Sequence, residues 1–464
     1  LGDEVIAATG RARGRRGILG RGRSRAGETD APEHLGERGT VMEQPNRKSG
    51  EAMRVALFTD TLDGVNGVAT TLHQLAGWAE RHALRLDIFA YARQGGAVEE
   101  RGSVRIVRVR PRLPLRIYED IDFDLAVPHG QLQKAVGGSS YHVVHCATPG
   151  SMGLNGLLVG RRTRAPLVGS YHTALPEFAR VRAERLASRL RLPQSVAGAV
   201  TARVIRIHET WFYNRCRLVL APSEAVCTDL QRRLATRVGM LGRGVDTDRF
   251  HPRFREAHDE VRVLYVGRLS IEKNLDLLAE LLHERSDVRL MMVGDGPYRQ
   301  RLEDRLPRAT FTGFLAGDEL SRAYASADVF VFPSPNDTFG IAVLEAMSSG
   351  VPVVVTDRMG PQELVKDGLT GFVAAGEREF RDRIDRLVAD PGLRRTMGGR
   401  ARQQALERSW SSVFEALVDH YRSVADPEPP AGKSLAPTGR RPWPVPAAAP
   451  ASGRTPGSRD GFRR

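Results

Sequence analysis

Short apolar runs, each a few residues long and rich in Val, Leu and Ile, alternate with helix-forming stretches through the middle of the sequence. Arg54–Thr59, Leu84–Ala90, Val104–Val109, His142–Cys146, Pro166–Tyr171 and Arg217–Ala221 form one series. Val261–Gly267, Val288–Gly294, Ala309–Phe314, Asp328–Phe332 and Pro352–Thr356 form a second. Most lack the strict polar–apolar alternation of a half-exposed strand, as expected of parallel strands buried on both faces. Leu72–Arg81, Leu275–Glu284, Glu319–Ala325 and Ile341–Ser348 carry helical patterns between them. Alternation of this kind predicts α/β architecture with open, doubly wound parallel sheets.

The pattern restarts at Val261 after the charged stretch 246–260, which predicts two Rossmann-like domains, 53–245 and 261–407, joined by that linker. Ligands of such sheets lie beyond the carboxyl ends of the strands, so two of them facing each other would enclose a cleft. Residues 1–52 and 426–464 have Gly-, Arg- and Pro-rich compositions without apolar periodicity and read as disordered extensions. Met53, directly before the first strand, reads as a possible native start. The net charge of +14 divides into +2 on 1–52, +4 on 426–464 and +8 on the body between them. A basic body suits an anionic partner: diphosphate, nucleic acid or anionic lipid. Three scattered cysteines offer neither a zinc site nor a disulfide framework and fit a reducing compartment. No apolar run is long enough to span a membrane. A cytoplasmic protein is expected, with the inner face of the membrane as a resting place.

The segment Phe332–Pro352, FPSPNDTFGIAVLEAMSSGVP, carries the most chemistry. A strand ends at Phe332, a polar loop follows, and a helix begins near Gly340. The first turn of a helix offers free N–H groups and a positive dipole end, and glycine lets an anion approach them. Glu345 lies in a helix that is apolar nearly all round, where a carboxylate needs a partner or a cleft. Asp337 fits a loop or helix cap as readily as a binding role. Val266–Leu275, VGRLSIEKNL, places Arg268 after a strand and Lys273 at a helix start, two cations able to grip a diphosphate or simply to decorate a loop.

Asp337 and Glu345, flanking Thr-Phe-Gly, resemble the paired-carboxylate motif of the retaining glycosyltransferases of family four, which have the GT-B fold. The Gly-Arg-Leu…Glu-Lys-Asn pattern resembles that family too, and Asp-Thr-Phe-Gly is similar to its lipid-directed mannosyltransferase branch. The family's first carboxylate is usually Glu; here it is Asp337. The resemblance implies that Asp337 holds the donor hexose and Glu345 the ribose, that Arg268 and Lys273 neutralise the leaving diphosphate, and that the amides of Phe339, Gly340 and Ile341 contact sugar or phosphate. Thr312-Gly313-Phe314 and Gly294-Asp295-Gly296-Pro297 resemble loops near the base, and the Asn-Gly-Val segment at Gly67 resembles one approaching donor and acceptor. His172, in Ser-Tyr-His-Thr, is implied beside the transferred sugar, although relatives often continue with Asp where this chain has Ala174. Arg243-Gly244-Val245-Asp246 resembles a segment near the hinge and receives no chemical role. A last helix, within 408–425, is implied to cross back onto the first domain.

The expected reaction moves a hexose, mannose from GDP-mannose by the branch resemblance, onto a hydroxyl acceptor with retention. No cofactor is expected beyond the nucleoside diphosphate sugar itself. No metal is expected either, since no Asp-x-Asp motif stands in a matching context. A phosphate oxygen of the leaving group is implied as the base. Arg180–Arg191 reads either as a solvated surface helix or as a basic amphipathic helix on anionic lipid. Arg108, Arg110 and Arg112 add cations, so a lipid acceptor fits. Other readings are a transferase using UDP-glucose or UDP-galactose, a nucleotide-sugar epimerase, and a nucleic-acid binder using the basic ends. No nucleic-acid partner is expected, because Arg11–Arg25 have no interleaved aromatics for stacking. The dinucleotide fingerprint of an NAD enzyme is missing at Gly64 and Gly67.

Overall fold

The computed structural model describes residues 52–426, except 65, 93–95, 119–120 and 125–126. The extensions read as disordered, Arg11–Arg25 among them, lie outside the described residues but for Ala52 and Asp426.

The first half holds β1 (Arg54–Thr59), β2 (Arg85–Tyr91), β3 (Ala97–Arg101), β4 (Val104–Val109), the hairpin β5 (Pro114–Tyr118) and β6 (Ile121–Asp124), then β7 (Val143–Cys146), β8 (Leu167–Ser170), β9 (Leu218–Ala221) and β10 (Arg237–Met240). Eight of these form one sheet in the order β10-β9-β8-β7-β1-β2-β4-β3, parallel throughout except for antiparallel β3 at its edge. The second half holds β11 (Val261–Val266), β12 (Val288–Val293), β13 (Thr310–Gly313), β14 (Val329–Phe332), β15 (Val353–Thr356) and β16 (Gly371–Ala374), an all-parallel sheet in the order β13-β12-β11-β14-β15-β16. The doubly wound architecture expected from the sequence is therefore present twice.

Each sheet is sandwiched because its strands are apolar on both faces. Along β1, Val55 and Leu57 enter one core, and Ala56 and Phe58 enter another on the opposite face. Registers keep apolar residues opposed: Val55 lies against Leu86 and Val143, and Val263 against Leu290 and Val329. Strand β3 departs from this pattern. Its sequence, AVEER, is largely exposed, and charge on an edge strand discourages pairing with another chain.

Both sheets have a switch point, where strand order reverses and the loops after two neighbouring strands diverge. In the first sheet it lies between β1 and β7; in the second it lies between β11 and β14. Residues from the loops after all four strands line one cavity.

The helix Trp410–Ala425 packs on the first half. Phe414, Leu417, Val418, Tyr421 and Val424 join the core formed by Val55, Leu72, Leu75, Trp78 and Leu86. Tyr421 Oη also lies 2.6 Å from Nδ1 of the buried His145. The chain thus runs twice between the halves, and the two passes lie side by side: the Val245 amide donates to the Arg408 carbonyl at 2.9 Å. Removing the Leu417 side chain would leave a hole beneath the first sheet. Leu417→Ala is expected to cost about 2–5 kcal/mol in urea unfolding; a loss below about 1 kcal/mol would show that this helix is not an integral part of the first core.

Candidate active site in the interdomain cleft

The cavity measures about 380 Å³, within the range of small-molecule sites. Two helices start on opposite sides of it. In the first half, the helix Gly67–Arg81 is capped by Asn66, whose side chain accepts from the amides of Val68 and Ala69, both at 3.0 Å. In the second half, the helix Ile341–Ser348 begins after Gly340, which has φ +89° and no side-chain cap. A Cβ at Gly340 would be strained by that φ and would sit 3.0 Å from Pro361. The two starts nearly touch: a Cβ on Gly67 would lie 3.2 Å from Ile341 Cδ1. Both positive dipole ends therefore act on the same small volume.

The second sheet brings its cations to that volume. Arg268 and Lys273 line the cavity from the loop after β11. This loop is laced to the one after β12: the Leu269 amide donates to Asp295 O at 2.9 Å and the Tyr298 amide to Leu269 O at 3.0 Å. Gly294, at φ +125°, is required there, because a Cβ would meet the Gly267 carbonyl oxygen at 2.1 Å. Lys273 Nζ donates to both carboxylate oxygens of Asp337, at 2.8 and 2.7 Å. Sequence reasoning assigned these two residues to different parts of a donor; the structure pairs them with each other. Both side chains are about a fifth exposed, so a ligand can reach them.

The first half contributes His172 from the loop after β8. Arg243, itself buried, donates from Nη2 to His172 Nδ1 at 2.5 Å and from Nη1 to the carbonyls of Leu241 and Gly242 at 3.0 Å. Burial, then the Arg243 charge, then His145 hold the His172 pKa well below its ordinary value, so the ring is neutral. Arg243 can only donate, hence Nδ1 accepts and Nε2 carries the proton. Nε2 is buried without a protein partner among the described residues, and so is Ser334 Oγ, another lining group. Buried polar atoms of this kind are normally satisfied by a ligand or water. The His172 carbonyl accepts from Thr338 Oγ1 at 2.6 Å, a direct bond between the halves.

The cavity's carboxylates are engaged. Asp60, at the end of β1, accepts from Thr148, Ser151 and the Met152 amide, and so caps the helix Ser151–Thr163 from a distance. Burial raises its pKa, and these hydrogen bonds partly offset the rise. Glu272 accepts from Ser270 Oγ at 2.8 Å.

Of the residues singled out in the sequence, Gly67, His172, Arg268, Lys273, Asp337, Phe339, Gly340 and Ile341 line the cavity. Gly313, Phe314 and Glu345 do not. Gly313 ends β13 at the sheet's far edge, and Phe314, directly after it, is exposed. Glu345 is half-buried one turn behind Ile341, accepting from Tyr324 Oη at 2.8 Å, and burial raises its carboxyl to about 7. Arg108, grouped in the sequence with possible lipid contacts, is instead paired with Asp63 and Glu99. Sequence reasoning passed over Thr338, which sits inside the Asp-Thr-Phe-Gly motif, and left Arg243 without a role; only the folded chain brings either to His172.

Comparison with known proteins agrees with this geometry. Residues 65–249 match the model described as Glycosyltransferase Family 4, and residues 246–404 match Glycosyl transferases group 1. The chain is 34% identical over 385 residues to the GDP-mannose-dependent alpha-mannosyltransferase of Mycolicibacterium smegmatis, covering 80% of this chain and 98% of that protein. It is 26% identical over 401 residues to the alpha-monoglucosyldiacylglycerol synthase of Streptococcus pneumoniae, covering 79% and 86%. Among solved structures, sucrose-phosphate synthase of Thermosynechococcus elongatus superposes with a TM-score of 0.65 at 20% identity, covering 80% of this chain and 98% of that one. Two sheets whose switch points share one cavity, together with these matches, establish that the chain belongs to glycosyltransferase family four and is a hexosyltransferase of the GT-B fold.

Proposed function

We propose that the enzyme transfers mannose from GDP-mannose to a hydroxyl of a lipid-borne acceptor, with retention at the anomeric carbon and no metal requirement, at the cytoplasmic face of the membrane. The observation that carries the reading is the convergence of two helix starts, Arg268 and Lys273 on one cavity, a seat for diphosphate. The names of the two relatives above supply the donor and the kind of acceptor.

The charge that develops on the leaving diphosphate sets the task. Arg268, Lys273 and the amides at Ile341 and Ala342 oppose it, which is why no divalent ion is needed in this reading. When donor enters, Lys273 exchanges the Asp337 carboxylate for phosphate, and Asp337 turns to hydroxyls of the hexose. His172 Nε2–H donates to a sugar oxygen, held in that tautomer by Arg243. Retention calls for attack on the face that the diphosphate leaves. Asp60 and Glu272 are already held by protein partners and Asp337 is taken up by the hexose, so a phosphate oxygen of the departing group is the base that takes the acceptor's proton.

Glu345 lies four residues after Ile341 and so on the same helix face, one turn deeper. Its ionised carboxylate accepts from the ribose hydroxyls. Its folded-state pKa, about 7, is above the ordinary carboxylate value, so the folded enzyme holds this proton more tightly than the unfolded chain. The associated stability is fully present below the ordinary range and is lost as pH rises through about 7. Donor binding then releases the proton. Calorimetry of GDP-mannose binding in buffers of different ionisation heat should show release of about one proton at pH 6, fading by pH 8, with none in Glu345→Gln. Equal release from the variant would remove Glu345 from the ribose site.

The donor itself is tested by thermal shift with GDP, UDP, GDP-mannose, UDP-glucose and UDP-galactose. GDP and GDP-mannose should raise the melting temperature most. Stabilisation by a UDP-sugar without any by GDP-mannose would replace the donor assignment.

A further inference from the structure

The helix Gln194–Tyr213 is 20 residues long but buries only Gly198, Glu209, Phe212 and Tyr213. Val196, Val200, Val204, Ile207 and Trp211 follow one another at intervals of three or four residues and so share one face. They are between 45% and 60% exposed. The stripe runs roughly 22 Å along the helix at 1.5 Å per residue. At the turn joining this helix to its antiparallel partner Leu175–Arg189, Leu186, Leu190 and Leu192 are exposed to the same degree. A continuous apolar strip of this kind marks a surface that meets something other than water.

The charges around the strip indicate what it meets. The acidic residues of the hairpin are already occupied: Glu177 pairs with Arg206 at 2.8 Å, Glu184 with Arg180 at 2.7 Å, and buried Glu209 with Arg233 at 3.2 Å. Arg189, Arg191 and Arg203 are exposed and have no acidic partner among the described residues. The Arg215 guanidinium lies 3.8 Å over the Trp211 ring, placing a cation beside an amphipathic aromatic at one end of the strip. A second copy of the chain would bring the same unpaired arginines against these. A bilayer carrying anionic headgroups satisfies both the apolar face and its basic flanks.

We infer that Gln194–Tyr213 lies parallel to an anionic bilayer, with the stripe from Val196 to Trp211 at the boundary between headgroups and acyl chains. The inference rests on the reading of the acceptor as lipid-borne and names the surface that delivers the cleft to it. The partner helix Leu175–Arg189 begins inside the cleft, where Leu175 and Phe178 line the cavity. Docking the hairpin along its length therefore brings its Leu175 end, and with it the cleft, close to the membrane.

The full chain is floated with vesicles of phosphatidylcholine alone and of phosphatidylcholine with phosphatidylglycerol. Wild type should partition onto the mixed vesicles and much less onto the neutral ones. Val200→Glu/Val204→Glu/Ile207→Glu changes only exposed positions and introduces a residue with a better helix propensity. It should lower partitioning by about tenfold or more. Arg189→Ala/Arg191→Ala/Arg203→Ala should remove much of the preference for mixed vesicles. Both variants should keep the wild-type thermal shift with GDP, which shows the fold and donor site intact. Equal partitioning of the glutamate variant and wild type would overturn the inference by assigning adsorption to other basic segments. A wild-type dimer that the glutamate variant converts to monomer, with vesicle binding unchanged, would overturn it in favour of a second copy. Vesicle binding that follows this pattern without any GDP shift in wild type would leave the docking surface standing and sink the donor assignment instead.

Discussion

Two helix N-termini aimed at one small volume are the constraint on which the rest of the structure depends. Gly67 and Ile341 begin helices of different halves, yet a Cβ on Gly67 would lie 3.2 Å from the end of the Ile341 side chain. Each helix start carries a partial positive charge, which at the first is only partly answered by Asn66 through the Val68 and Ala69 amides, and opposing two of them without an anion is unfavourable. The ion pair of Lys273 with Asp337 answers part of that need by holding a carboxylate at the mouth of the site. A diphosphate answers it more fully. The arrangement therefore favours an anionic ligand before any side chain specific to a sugar is considered.

Keeping the two starts in place requires the halves to be held in register. Thr338 donates across the cleft to the His172 carbonyl. Glu363 accepts from the amides of Glu224 and Ala225, both at 2.7 Å, and so caps a helix of the opposite half. The two passes of chain at Val245 and Arg408 run together, and the last helix anchors the second pass in the core of the first half. The bonds made by Thr338 and Glu363 across the cleft are polar, whereas each half keeps its own apolar cores. A cleft joined in this way can alter its width while each sheet stays intact.

Much of the architecture was legible in the sequence because strands buried on both faces leave uninterrupted Val, Leu and Ile runs. The strands that escaped reading lack that mark. β3 is charged because it is an edge, β10 and β16 are short and contain glycine, and the hairpin β5–β6 mixes Pro with charge. Within the site, loop residues directly after strands were readable from motif and position. Partnerships were not. Lys273 and Asp337 are 64 residues apart, and Arg243 and His172 are 71 apart; no local pattern announces that either pair meets. The exposed stripe on Gln194–Tyr213 was missed for a related reason: an apolar helix face reads as core until the fold shows that nothing covers it.

The exchange of partners by Lys273 joins the unliganded geometry to the proposed chemistry. In the proposed chemistry Asp337 yields the ammonium to phosphate and turns to the hexose once the donor is bound. The most direct measurement is the calorimetric affinity of Asp337→Asn for GDP, which has diphosphate but no hexose. The account predicts tighter GDP binding than in wild type, by roughly tenfold if about 1.4 kcal/mol is no longer spent in breaking the ion pair. Unchanged or weaker GDP binding would contradict the exchange, and with it the placement of the diphosphate beside Lys273.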